Sequence, residues 1–326
     1  MIAIVGRRLA WLGLLILIIT ALTYTLFFVV PGDPAVQAVP KGASPQTIAD
    51  VRHRMGLDEP LWRQYLNFFH GPDLIGNGHA SGILNVPPNL GYSFKNQEPV
   101  LDTILDRLPV TISLAAGAIV LWLVFGLSVG ILAAIYPRTL RDRISMGVAL
   151  VGVAMPQFLL GIGLIYLLYF RIHVFPAPGY VALTDDPVGW ATHLVLPWFT
   201  LAFSYAAAYS RIMRSSMLEV ANENFVLLAQ SKGLTRRQVI LRHVVRPALT
   251  PIVTMLGMDI GLLLSGAIVV EIVFGLNGVG SLAIQALTTN DLPVIAGTVL
   301  LAALLVAVFN LVVDLLYPLL DPRVQR

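Results

Sequence analysis

The chain has 326 residues, 57% of them hydrophobic and 12% charged, with a formal net charge of +3. A soluble domain carries roughly 25% charged residues, so this composition belongs to a bilayer rather than to water. There is no cysteine, which excludes a disulfide, a thiolate metal site and a cysteine nucleophile.

Several stretches exceed the roughly 18 apolar residues of a membrane helix. Six read as spans, near Leu9–Val30, Leu108–Tyr136, Ile144–Phe170, Leu194–Ser210, Leu249–Val270 and Val294–Pro318. The expected fold is an all-α integral membrane protein of six transmembrane helices. It has three parts: the first helix within residues 1–30, an extracytoplasmic loop over 31–107, and a five-helix core over 108–326. The first apolar run follows Arg7 and Arg8, as a secretion signal does. It is longer than the roughly 7–15 residues of a signal core and reads as a retained span.

Pro31-Gly32-Asp33-Pro34 stops that helix, because proline removes a donor and glycine permits a turn. Ser44 then caps a short helix to Met55, with Pro45 at its first position. Asp58-Glu59-Pro60 starts another, carrying Leu61, Trp62, Tyr65, Leu66 and Phe69 at helical spacing, aromatics suited to a membrane interface. From His70 to Leu90 the chain is rich in Gly, Pro and Asn and reads as an irregular insertion. Two readings of the long loop stand side by side. It caps the outer mouth, or it docks a soluble delivery protein, with Asp33, Asp58, Glu59, Tyr92 and Ser93 as docking candidates.

Orientation follows from Lys and Arg in short loops and at span ends. With the N-terminus inside, the inner ends hold Arg7, Arg8, Arg138, Arg141, Arg143, Arg211, Arg214 and the basic run from Lys232 to Arg246. The two short outer loops hold only Arg171, so both termini are expected in the cytoplasm. Topology accounts for this basic face, and no stacking aromatics accompany it, so nucleic acid is not an expected partner.

Residues 211–250, between the fourth and fifth spans, are too charged for lipid and too well capped for a slack loop. Leu218, Ala221, Phe225 and Leu228 recur on one helical face. Lys232 suits the negative end of that helix, and Gly233 offers the left-handed turn that ends it. Thr235 with Gln238 forms a capping box that starts a second helix. Arg236 and Arg237 oppose the dipole of that second helix. They anchor topology, or they meet an acidic partner surface.

Ala229, four residues before the glycine of Lys232-Gly233, with His243 and Pro251 downstream, resembles the cytoplasmic coupling loop of ABC-importer permeases of the peptide and nickel branch. Leu227-Leu228-Ala229 replaces the glutamate and two alanines of the wider importer pattern, as is usual in that branch. Arg246-Pro247 stands where the branch has Arg-Asn. The likeness continues through Pro31-Gly32-Asp33-Pro34, Gly56-Leu57-Asp58-Glu59-Pro60-Leu61, Gln64-Tyr65, Leu90-Gly91-Tyr92-Ser93 and Pro99-Val100. It extends to Glu271, Phe274, Gly278 and Gly280, then Asp291-Leu292-Pro293-Val294, Asp314-Leu315-Leu316-Tyr317 and Asp321-Pro322-Arg323. The chain is most similar to the first of the two permease subunits of dipeptide and oligopeptide importers. The stretch His70–Asn89 is longer than in that family. The resemblance implies a type I importer fold and a bacterial or archaeal inner membrane. It also implies a sister permease, two ATP-binding subunits and an extracytoplasmic binding protein. The cargo it implies is di- or oligopeptide, with nickel or another small solute as the second reading. Coupling to the ATPase would then fall to Ala229, Lys232, Gly233, Leu234, Thr235, Arg236, Arg237 and His243.

No Gly-Lys dipeptide occurs, so there is no Walker-type phosphate loop. ATP and Mg would be bound by the partner ATPase subunits, and no cofactor is expected in this chain. Within the spans, Asp259 either lines a path or hydrogen-bonds a neighbouring helix. Glu271, near the outer face, gates or sits in water. Asp314 is expected to pair with an inner arginine. Gly126 with Gly130, and Gly257 with Gly261, have the spacing of close helix contacts. Met155-Pro156-Gln157 predicts a kink in the third span.

Two other classes fit less well. The six histidines form no HExxH and there is no Gly-x-Ser-x-Gly elbow, which argues against an enzyme. A proton-driven secondary transporter would show internal repeats, and none is visible between the halves.

Overall fold

The computed structural model describes residues 2–29, 33, 35–36, 39, 42–54, 57–70, 90, 92–93 and 95–320. Pro31, Gly32, Pro34, Gly56, Gly91, the insertion over 71–89 and Asp321-Pro322-Arg323 lie outside the described residues, as does the side chain of Asp314. The chain divides into two units, Met1–Pro109 with Gly278–Leu305, and Val110–Asn277 with Val306–Arg326.

In the first unit, α1 spans Ile2–Tyr24 and continues as a π-helical turn over Thr25–Val29. α2 spans Pro45–Arg54, where Ser44 Oγ accepts from the Thr47 N–H at 3.1 Å, as its cap position predicts. α3 spans Leu61–His70 and turns Gln64 and Tyr65 toward α1. Tyr24 donates to Gln64 Oε1 at 2.9 Å, and the Thr20 and Tyr65 hydroxyls lie 2.8 Å apart. Leu61 and Trp62 remain exposed on the other flank of α3. Short antiparallel strands β1 (Tyr92–Ser93) and β2 (Glu98–Pro99) lead into α4, Val100–Ile135, a 36-residue apolar helix that runs on into the second unit.

The second unit then takes α5, Leu140–Ala154, and α6, Gln157–Leu164, which continues as a π-helical stretch over Ile165–Arg171. α7 spans Pro187–Ala221, with Asp186 as its cap and Pro187 at its first position. α8 spans Asn224–Ser231 and α9 spans Arg236–Val239. A π-helical stretch over Ile240–Val244 leads to α10, Val245–Ala248. α11 spans Thr250–Leu264 and α12 spans Ile268–Val273. The chain returns to the first unit with α13, Val279–Thr289, and with α14, Leu292–Leu320, whose last part belongs to the second.

Each unit has its own core. Tyr24, Leu90, Val100, Ile104, Leu282 and Val294 fill the first. Trp122, Tyr209, Met213, Val226, Val239 and Ile252 are among those that fill the second. The glycine pairs act as packing surfaces. A Cβ on Gly130 would lie 2.6 Å from Ser210 O, and one on Gly126 3.0 Å from Ala206 O, which seats α4 against α7. A Cβ on Gly261 would lie 2.6 Å from Val306 Cα, and one on Gly257 2.2 Å from Val313 Cγ2, which seats α11 against α14.

Three expectations need correction. The bend expected at Met155-Pro156-Gln157 is present but far sharper than a kink: α5 and the α6 segment meet at 100°. Pro156 has no N–H and drives Met155 out of the helical region, to ψ 123°. The helix expected to run to Val270 stops early, at Leu264, because Ser265-Gly266-Ala267 interrupts it, with Gly266 at φ +123°. The apolar face from Leu218 to Leu228 is not continuous either. The chain breaks at Asn222-Glu223, which resets the helical phase. Val226 and Ala229 are buried and Leu228 is exposed. Among the described residues, Val100–Ile135 and Leu292–Val313 are long and apolar enough to cross a membrane. The number rises to 4 if each bent pair counts as one span.

Candidate functional site

The corner between α8 and α9 has the local geometry its residues predict. Lys232 closes α8, and Gly233 turns the chain at φ +78°. The Gly233 N–H donates to Gln230 O at 3.0 Å. The Thr235 hydroxyl accepts from the Gln238 N–H, while Gln238 Oε1 accepts from the Thr235 N–H at 3.0 Å. This reciprocal cap starts α9 directly after the corner. Ala229 faces inward, buried with Val226 and Val239, so its part in the corner is packing. His243 is half-buried in the π-helical stretch that precedes Pro247. Pro247 cannot donate to the His243 carbonyl, and the ladder upstream has already slipped, the Val245 N–H donating to Ile240 O. The exposed surface of the corner is therefore Leu227, Leu228 and Leu234 beside Lys232, Thr235 and Arg237.

Arg236 behaves differently from Arg237. Its guanidinium donates to the carbonyl of Ile135, at the end of α4, at 3.0 Å. A cation that opposes the dipole of its own helix thus sits at the favourable end of another. This tether was not legible from spacing, because 101 residues separate the two groups.

A second polar knot lies at the basic run Arg138–Arg143, at the junction of α4 and α5. Arg214 donates to Asp142 through Nε at 2.6 Å and through a terminal nitrogen at 2.8 Å. Arg138, at φ +62°, donates its backbone N–H to the same carboxylate at 2.8 Å. Asp142 is only 4% exposed. The Arg214 hydrogen bond holds its carboxyl below the usual carboxylate range, against burial, which acts the other way. The same bond raises Arg214. Arg138 and Arg214 had signalled topology alone, yet Thr139-x-x-Asp142 is itself a helix-opening spacing. The partner across the fold was not visible in it.

The two acids expected within the spans behave differently. Tyr209 on α7 donates to Asp259 Oδ2 at 2.6 Å, so the helix-to-helix hydrogen bond exists. Glu271 does not sit in water: it is 0% exposed, and Thr111 donates to its Oε1 at 2.9 Å. It lies on α12, which ends when Gly275 adopts φ +62° and the Leu276 N–H returns to Glu271 O at 2.8 Å.

The outer-loop candidates are already engaged within the chain. Asp33 pairs with Arg52, Asp58 lies 3.2 Å from His53, and Glu59 lies 3.8 Å from Arg63. Ser93 is buried and donates to Asp291 at 2.5 Å, so as a surface docking residue it is corrected. Tyr92 pairs with Pro99 through the β1–β2 ladder.

Residues 126–326 match the family described as "Binding-protein-dependent transport system inner membrane component". Residues 1–115 match the N-terminal component of such systems. This chain belongs to that family. Dipeptide transport system permease protein DppB of Escherichia coli (strain K12) is 35% identical over 332 residues, covering 94% of each chain. Di/tripeptide transport system permease protein DppB of Pseudomonas aeruginosa (strain UCBPP-PA14) is 35% identical over 347 residues, covering 100% of this chain and 99% of that one. As a binding-protein-dependent inner membrane component, the chain is a helical membrane protein that serves transport rather than ATP hydrolysis.

Proposed function

We propose that this chain is the permease subunit of an ATP-driven importer that forms half of the path for di- and oligopeptides. In this reading the chain crosses the membrane six times, with both termini and the α8–α9 corner in the cytoplasm. A sister permease completes the path, two ATP-binding subunits supply the energy, and an extracytoplasmic binding protein delivers the cargo. The observation that carries this reading is the full-length likeness to two proteins named as dipeptide and di/tripeptide permeases.

The corner supports the mechanism. An exposed apolar patch of Leu227, Leu228 and Leu234, flanked by Lys232 and Arg237, suits a cleft on a soluble ATPase with acidic edges. Lys232, Gly233, Thr235 and Arg236 shape the corner, and Ala229 and His243 pack behind it. Closure of the ATPase pair would push on this patch. The push would reach α4 through the Arg236 tether and α11 through the continuous chain of α9 and α10.

Purification in mild detergent from the native membrane, with mass spectrometry of what accompanies the chain, tests the assembly. A second permease, two kinds or two copies of ATPase and a binding protein that takes peptides are expected. A chain recovered alone under several mild conditions, or a binding protein that rejects peptides, would overturn the corresponding part.

A further inference from the structure

We propose that Asp259, held by Tyr209 and backed by the rings of Trp122 and Tyr205, is a subsite for the ammonium group of a peptide in transit. It rests on the peptide reading above and adds a residue-level contact to it.

Placement comes first. Asp259 is nine residues beyond Thr250, so about 14 Å along α11 at a rise of 1.5 Å per residue. That is near the middle of a hydrocarbon core of about 30 Å, the depth at which transporters bind their cargo. The rotation of α11 is set by Gly257 and Gly261, whose missing Cβ atoms let α14 press against one side. Thr254, Met258 and Leu262 form an exposed stripe on another side. Asp259 projects from the side opposite the two glycines, half-buried just beyond that stripe and turned to Tyr209 on α7.

The chemistry is incomplete as it stands. A carboxylate can accept about four hydrogen bonds, and among the described residues Tyr209 supplies the one donor. A single tyrosine is a poor counterpart for an ionised acid at mid-membrane, where such groups pair or face water. No described cation reaches Asp259 within ion-pair distance. The tyrosine does fix the direction of the carboxylate, leaving Oδ1 for another donor. Beside it the Trp122 ring stacks on Tyr205 at 4.6 Å and tilts against Tyr209 at 5.8 Å. The Trp122 N–H is buried with no acceptor among the described residues. Trp122 is fully buried and braces the two tyrosines, so the carboxylate and the half-buried Tyr205 ring are what a cation can meet, and they favour an alkylammonium through charge and the ring quadrupole.

The test uses the assembled transporter in lipid vesicles, with its binding protein outside and Ala-Ala as cargo, whose only ammonium is its amino terminus. Asp259→Asn keeps an acceptor for the Tyr209 hydroxyl and removes the charge. Uptake is expected to fall about tenfold, the scale of a lost hydrogen bond to a charged group. Assembly and resting ATP hydrolysis should stay normal, and Asp259→Glu should restore most of the uptake. The chain has no cysteine, so Asp259→Cys supplies its single thiol. A water-soluble cationic methanethiosulfonate should label it, and labelling should slow when Ala-Ala and ATP are present. Wild-type uptake in Asp259→Asn, or a thiol reached only by membrane-soluble reagents, would overturn the subsite. So would loss of the assembled complex in both Asp259→Asn and Tyr209→Phe, which would make the pair a structural strut. Wild-type vesicles that hydrolyse ATP but carry no peptide would instead overturn the peptide reading, and the subsite with it.

Discussion

Gly233 stands at φ +78° with open space where a Cβ would project. Its requirement is therefore one of backbone rather than crowding, since a branched residue in the left-handed region costs roughly 1–2 kcal/mol. Gly233→Val is expected to insert and assemble normally but to cut peptide carried per ATP hydrolysed severalfold. A wild-type ratio in reconstituted vesicles would remove the corner from the transmission path. The Asp142–Arg214 pair makes a prediction of a different kind. Arg214→Ala leaves a buried carboxylate without its bidentate partner, and is expected to cost about 3 kcal/mol. Asp142→Asn should cost less, because it removes the charge as well. The folded carboxyl of Asp142 lies below its unfolded value of about 3.9. Its contribution is thus complete above that pH and is lost as the pH falls through the folded value. Thermal melting in detergent near pH 7 and near pH 3 should show a larger acid-induced loss in the wild type than in Asp142→Asn.

At the scale of elements, two helix contacts depend on the absence of a side chain. A Cβ at Gly261 would come within 2.6 Å of the Val306 backbone, which cannot step aside as a flexible side chain can. Gly261→Leu is expected to destabilise by roughly 1–3 kcal/mol and to lower the melting midpoint. Gly147→Ala on α5, where nothing lies within 4 Å, serves as the control. It should be neutral or stabilise by up to about 1 kcal/mol, since alanine is the better helix former. Small-x-x-x-small spacing pointed to both glycine pairs from sequence, because the signal is local and its cause is steric. The breaks at Pro156 and at Ser265-Gly266 were underestimated for the converse reason. The residues were visible, but the angle after a break depends on what each half packs against.

At the scale of the whole molecule, the two arginines after the corner should part company. Arg237→Glu is expected to weaken capture of the ATPase in a pull-down severalfold while leaving the stability of the chain unchanged. Arg236→Ala removes the bond to the end of α4, so it should retain ATPase capture and lose coupling. Equal capture defects in the two variants would mean that both arginines face the partner. If neither has an effect, both are topology anchors.

Sequence by itself determined what depends on composition and on neighbours in the chain. The membrane class, the Gly233 turn, the Thr235–Gln238 cap and the close-packing glycines all follow from short-range sterics, hydrogen bonding and the cost of charge in lipid. The tertiary structure decided which polar groups meet. Asp142 with Arg214, Arg236 with Ile135, Thr111 with Glu271, Ser93 with Asp291 and Tyr209 with Asp259 are brought together across 50 to 198 residues of chain. No local pattern encodes such pairs. A buried polar group requires a partner but does not name one, and only the packing of helices in space selects it.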